Sequence, residues 1–347
     1  MRPRLKPRAR GEIRQSILGE HPYRRGTVSA TLGGQMRRMT VVCAVLLTLF
    51  AGAVPAQART QDLCTWTPSY LPLPAGATSG AVWATGSDGY LAGQAPDGRL
   101  LLWHHGSLVD VNAPASTSIS VSGVNGSGEI VGYDGRSDSA FVYRDGTFQT
   151  LSGPAGSSVF AQGINDSGDI VGTSYVFPGP YHSIVWKRDQ PGTYRIVADD
   201  VAIGIDNAGN VVTEKGSVWS PDGTTHQLAG SPDLQIQVFQ GGYALGQAFG
   251  DYTSLHKWDA AGNLVYRYEA QDRPSPRGIN SHGLMVASYT PVGGTARELG
   301  VWRDAEFTGN ITAERWVRVV TESGELAGQR KSADGQTLVP ATWTCVG

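Results

Sequence analysis

Apolar residues in this chain come in short runs that alternate with polar ones at every second position, and the runs recur along its length. One stretch shows the unit. Ile119 to Val124, Glu129 to Tyr133, Ala140 to Arg144 and Thr147 to Leu151 each carry the period of two of a half-buried strand. Asn125-Gly126-Ser127-Gly128 separates the first two and Asp145-Gly146 the last two; both supply the left-handed backbone angles of tight hairpins. The pattern predicts four antiparallel strands in about 40 residues, the content of one propeller blade.

The unit repeats. Ser122 to Gly132 and Gln162 to Gly172 share Gly-x-Asn-x-Ser-Gly-x-Ile-Val-Gly, and looser copies lie at Ile203 to Val212, Arg277 to Ala287, Thr321 to Gly328, Thr85 to Gly93 and Gln240 to Gly246. An aromatic follows each copy: Trp103, Tyr143, Trp186, Trp219, Trp258, Trp302 and Trp343, spaced by 40, 43, 33, 39, 44 and 41 residues. Seven marks at one period predict an all-β, seven-bladed propeller, with these aromatics packed between adjacent blades. The last unit stops after its third strand, Leu338 to Cys345, while Cys64 to Leu73 is a strand without a blade. The N-terminal strand is therefore expected to complete the last blade and close the ring, which removes an exposed sheet edge.

Charge and cysteine content divide the chain in two. Residues 1–58 hold 10 Lys+Arg and 2 Asp+Glu, which leaves 28 − 10 = 18 against 30 − 2 = 28, a net −10, for residues 59–347. Arg37-Arg38, the apolar run Val41 to Ala51 and Ala56-Gln57-Ala58 read as a secretory signal cleaved after Ala58, and translation starting at Met36 or Met39 would leave residues 1–35 without a role. A single propeller domain over residues 59–347, secreted and monomeric, is the expectation. Cys64 and Cys345, the two cysteines left after cleavage, are expected to form a disulfide across the ring closure. The acidic domain argues against nucleic acid, and nothing after the signal would insert in a membrane.

The repeated Gly-x-Asn-x-x-Gly-x-x-Val-Gly followed by Ala-Phe-x-Trp/Tyr resembles the HAF repeat of secreted bacterial proteins. Here the naming triplet is reduced to Ser139-Ala140-Phe141, His182-Ser183-Ile184 and Arg297-Glu298-Leu299. The resemblance implies a propeller-like fold and an extracellular site of action; it carries over no catalytic residue.

Candidate chemistry is sparse. No nucleophile elbow, His-Glu-x-x-His, phosphate loop or zinc spacing occurs, so no catalytic residue, cofactor or metal is assigned. Asn165 to Asp169 is oxygen-rich but lacks the glutamate that closes a calcium loop, and a hairpin turn is the simpler reading. His104-His105 reads as an exposed hairpin tip. Loops between first and second strands, and between third and fourth, are short and repetitive, so their face is expected to be structural. The loops between second and third strands differ from blade to blade and supply the ligand-binding candidates: Tyr133, Asp134, Arg136, Tyr175, Phe177, Tyr181, Phe249, Tyr252, Tyr289 and Arg330. Varied aromatic and charged loops on a rigid ring suit a glycan or an extracellular protein. The alternative is a polysaccharide hydrolase or lyase with its site at the mouth of the central channel.

Overall fold

A computed structural model describes residues 64–113, 118–230, 233–270, 272–311 and 316–346. All belong to the unit Arg59–Gly347. The leader, with its apolar run and the cleavage expected after Ala58, lies outside the described residues. Every described element is a strand, and no helix among these residues is long and apolar enough to cross a membrane.

The strands form seven four-stranded antiparallel sheets. Blades one to six take residues 81–109, 119–150, 158–198, 202–227, 234–269 and 272–310, each in sequential order. In blade two the strands are Ile119–Val124, Ile130–Asp134, Ser139–Arg144 and Thr147–Thr150, within one residue of the boundaries that alternation and turn chemistry set. Blade seven is built from both ends of the domain. Its three C-terminal strands are joined by Thr65–Tyr70, which pairs antiparallel with Leu338–Val346 and places Trp66 opposite Cys345. A disulfide joins Cys64 to Cys345 over a Cα separation of 5.5 Å and 281 residues of sequence.

The apolar core lies between blades. Trp103 is fully buried with Leu71, Val82 and Leu101 on one side and Val319 and Ala327 of blade seven on the other. Trp186, Trp219, Trp258 and Trp343 occupy the matching places between later blades, and Tyr143 fills that between blades one and two. Three indole N–H groups act alike: Trp103, Trp186 and Trp258 donate to the carbonyls of Pro72, Ser152 and Ala229 on the connection entering the blade. These three rings thus fill a gap with a large apolar surface and pin the incoming chain through their one donor, whereas the Trp343 Nε1 is buried without a hydrogen-bond partner.

The repeated asparagine joins blades on the side of the first turn. Asn125 Oδ1 accepts from the backbone N–H of Ser127 and Glu129, folding its own turn, while Nδ2 donates to Asn165 O at 3.1 Å in the next blade. Asn165 does the same to Asp206 O at 3.0 Å, and Asn280 to Thr321 O at 2.9 Å. Where the asparagine is missing, glycine takes over by close approach. A Cβ on Gly86 would lie 2.6 Å from Asn125 O, and one on Gly241 2.4 Å from the carbonyl carbon of Asn280. The oxygen-rich turn at Asn165 belongs to this clasp: Asn165 and Asp169 are engaged by protein partners, including Lys187 Nζ to Asp169 Oδ2 at 2.5 Å.

Candidate functional site

The first strands of the seven blades gather around the propeller axis, and all seven break register at one equivalent point. The shifts fall between Val82 and Ala84, Val121 and Gly123, Ala161 and Gly163, Ala202 and Gly204, Ile236 and Val238, Pro276 and Gly278, and Val317 and Val319. A β-bulge inserts one unpaired residue and re-aims its side chain. The inserted residues are Trp83, Ser122, Gln162, Ile203, Gln237, Arg277 and Arg318. They are varied in chemistry, although the frame around them is the most repetitive part of the chain.

Ring packing explains why the next position is often glycine. A Cβ on Gly123 would sit 3.3 Å from Gly163 Cα, one on Gly163 3.7 Å from Gly204 Cα, and one on Gly204 2.9 Å from Phe239 O. Neighbouring first strands are in backbone contact there, so the bulged residue is where a side chain can project. Ser122, Gln162, Ile203 and Gln237, with Trp83, line an axial cavity of about 680 Å³. Its mouth opens among the turns between first and second strands, at Ser87, Asn125, Asp166, Asn207, Ser281 and Glu322. This axial cavity therefore opens on the face expected to be structural.

The carboxylates at the mouth are occupied. Asp166 accepts from Gly126 N at 2.7 Å, Ser87 Oγ at 2.8 Å and Asn207 Nδ2 at 2.6 Å, tying four blades together. Glu322 accepts from Ser281 Oγ at 2.5 Å. Asp206, the third carboxylate of the lining, accepts from Asn210 N at 2.7 Å and Asn210 Nδ2 at 2.9 Å.

The arginines of the ring are different. Arg318 places its guanidinium 4.3 Å from the centroid of the Trp83 ring, and the Nε atoms of Arg318 and Arg277 are buried without a hydrogen-bond partner. Among the described residues neither arginine forms an ion pair. Burial, together with the charges of Arg318 and Arg297, pulls the Arg277 pKa below its usual value. Two adjacent cations without a carboxylate, inside a domain of net charge −10, form a local anion-attracting spot.

The ten loop candidates differ in how far their side chains are engaged. Tyr133 stacks on Phe160 and donates to Asp138, which pushes its pKa up to about 12. Asp134 caps its own loop by accepting from Arg136 N and Ser137 Oγ; the Arg136 side chain is exposed. Tyr289 packs edge-on against Trp302 and Phe307, and Arg330 lies over Tyr70. Tyr175 and Tyr181 stack at 4.4 Å beside Phe177, which is 82% exposed. Phe249, 75% exposed, and Tyr252 sit two blades away. The rim presents aromatic groups, of which Tyr175, Phe177 and Tyr181 come together.

Loop variability does not point to the bulge ring, because its residues lie within strands. A signal is nonetheless present: in Ser122-Gly-Val-Asn, Gln162-Gly-Ile-Asn, Ile203-Gly-Ile-Asp and Arg277-Gly-Ile-Asn, the residue before glycine changes every time.

No family model and no curated protein matches this sequence. Solved structures do share the fold. A streptogramin B lyase superposes with a TM-score of 0.54 at 13% identity, covering 81% of this chain and 98% of that one. Virginiamycin B lyase from Staphylococcus aureus gives 0.51 at 10%, covering 82% and 100%. The Cps50 (Swd1) β-propeller domain of Myceliophteria thermophila gives 0.51 at 11%, covering 78% and 98%. At these identities the likeness is one of architecture.

Proposed function

We propose that this protein is an extracellular binding propeller that takes an acidic glycan in its axial cavity. The observation that carries the reading is the bulge ring: seven copies of one frame each insert one residue into the first strand, five of those residues line the axial cavity, and the inserted residue is where the repeat varies. Their chemistry suits a uronate-bearing sugar. Trp83 offers an apolar face to a sugar ring and Gln162 and Gln237 can bond hydroxyls within the cavity lining, while Arg318, stacked on Trp83, and Arg277 next to it stand at the two bulge positions outside that lining and can pair with a carboxylate reaching past Trp83. A cavity of about 680 Å³ lies in the size range of small-ligand sites. The Cys64–Cys345 bond and the signal-like leader support action outside the cytoplasm, and the repeat supports kinship with the HAF-repeat proteins.

Titration with trigalacturonate tests this. The expected result is saturable binding that weakens at least tenfold in Arg318→Gln and falls with added salt, with no binding of neutral maltotriose. Equal affinity for the two trisaccharides would refute it. A second reading, capture of a glycan or protein partner on the rim, rests on the exposed Phe177 beside the stacked Tyr175 and Tyr181. An enzyme of the lyase or hydrolase class would have to draw its acid or base from Asp166, Asp206 and Glu322, the carboxylates of the cavity lining, each of which accepts hydrogen bonds from protein groups.

A further inference from the structure

The hairpin tips of blade one bring Asp88, His104 and His105 together, with ligand atoms all within 4.8 Å of one another. Asp88 belongs to the turn between the first and second strands. His104 ends the third strand and His105 starts the turn after it, so the fold, not the sequence spacing, makes the cluster. His104 Nε2 lies 3.6 Å from Asp88 Oδ2, and His105 Nε2 lies 4.0 Å from Asp88 Oδ1.

Those distances decide between two readings. Both are too long for hydrogen bonds, so the group is not a bonded Asp–His pair. Around a tetrahedral zinc ion with bonds of about 2.0–2.1 Å, neighbouring ligand atoms sit roughly 3.3–3.4 Å apart. The two observed spacings, which run to different oxygens of Asp88, exceed this by about 0.2 and 0.7 Å, and the whole set lies within 4.8 Å; the carboxylate and His105, both exposed, can rotate inward to close the difference.

The imidazoles are also held in place. His104 stacks on Tyr90 at 4.1 Å with an interplanar angle of 14°, and the His105 ring lies 4.2 Å from that of His104. Gly89 leaves room for the second ring: a Cβ there would be 2.5 Å from His105 Nδ1. His104 Nε2 is buried and has no hydrogen-bond partner. A buried nitrogen with an unused lone pair or proton is costly unless something meets it.

We infer that Asp88, His104 and His105 form a zinc site at the tip of blade one, with two Nε2 atoms and one carboxylate oxygen as ligands and a fourth position open to water. Two imidazoles and a carboxylate are a donor set that zinc favours, and three protein ligands leave it coordinatively open.

The test is calorimetric titration of the full chain, free of any histidine tag and stripped with EDTA, with zinc chloride alone. One zinc per chain is expected, with affinity reduced at least 30-fold in His105→Ala and in Asp88→Ala. His282→Ala, which removes another surface histidine, should leave the titration unchanged. Circular dichroism of each variant separates loss of ligand from loss of fold, which at these exposed positions is not expected. No saturable binding by the wild type, or binding unaltered in both ligand variants, would overturn the site.

Discussion

At the scale of single residues, environment assigns roles that residue type alone does not. Asp251 and His256 in blade five illustrate this. Asp251 Oδ2 accepts from Ser254 Oγ at 2.6 Å and pairs with Arg267 at 3.2 Å, and Thr253 bonds Oδ1. Burial opposes ionisation, but these bonds outweigh it and bring the Asp251 pKa down to about 2. His256, 3.0 Å from Ser254 Oγ, is pulled down by burial and by Arg267. Both shifts make acid unfavourable to the native state. The His256 contribution is present above its unfolded value near 6.5 and is lost as that value is crossed downward; the Asp251 contribution is lost between about 4 and 2. Asp251→Asn should therefore lower the urea midpoint at pH 7, with the gap to wild type narrowing as pH falls from 4 towards 2. A gap independent of pH would show that the carboxylate charge is not what stabilises this corner. None of this is visible in sequence, where Ser254-x-His256 is three ordinary positions in a strand.

Elements are the most legible level. Strand boundaries in blade two follow from alternation and from Asn-Gly and Asp-Gly turns, because those signals are local. The purpose of the asparagine is not legible, since its Nδ2 partners lie about 40 residues away in the next blade. Three substitutions separate the clasp from the turn. Asn165→Ala leaves the buried N–H of Asp169 without its acceptor and strips the Asp206 carbonyl of its inter-blade donor, leaving only Gly209 N, and should cost about 1–3 kcal/mol by chemical denaturation. Gly241→Ala and Gly242→Ala both force alanine to a positive φ, at a cost of roughly 1–2 kcal/mol. Only the first drives a Cβ into the backbone of Asn280; the Cβ at 242 meets nothing within 4 Å. Gly241→Ala should thus be clearly the more damaging. Equal effects would mean that blades do not press on one another at this turn.

For the whole molecule, ring closure and the axial site follow from the same repetition. The missing fourth strand and the spare N-terminal strand point to blade seven because a count of strands is a global constraint that sequence can carry. Sealing a loop of 281 residues contributes roughly 5 kcal/mol in the chain-entropy account. The Cys64→Ala, Cys345→Ala double variant should melt at least several degrees lower; an unchanged melting temperature would mean that strand pairing alone closes the ring. The functional face is less legible. Loop variability points to the rim, where Phe177 and Phe249 are exposed, whereas the cavity opens on the opposite, repetitive face. Bulges are three-dimensional events: the residue before each glycine becomes axial only once seven first strands are gathered round one axis.

The claim that the bulge ring is the binding site is tested most directly on an array of uronate-bearing and neutral oligosaccharides, comparing wild type with Arg277→Gln/Arg318→Gln and with Phe177→Ala/Phe249→Ala. Acidic glycans should bind to the wild type and to the rim variant, and that binding should be lost in the arginine variant. Binding that survives the arginine changes and disappears with the two phenylalanines would contradict the claim and move the site to the rim.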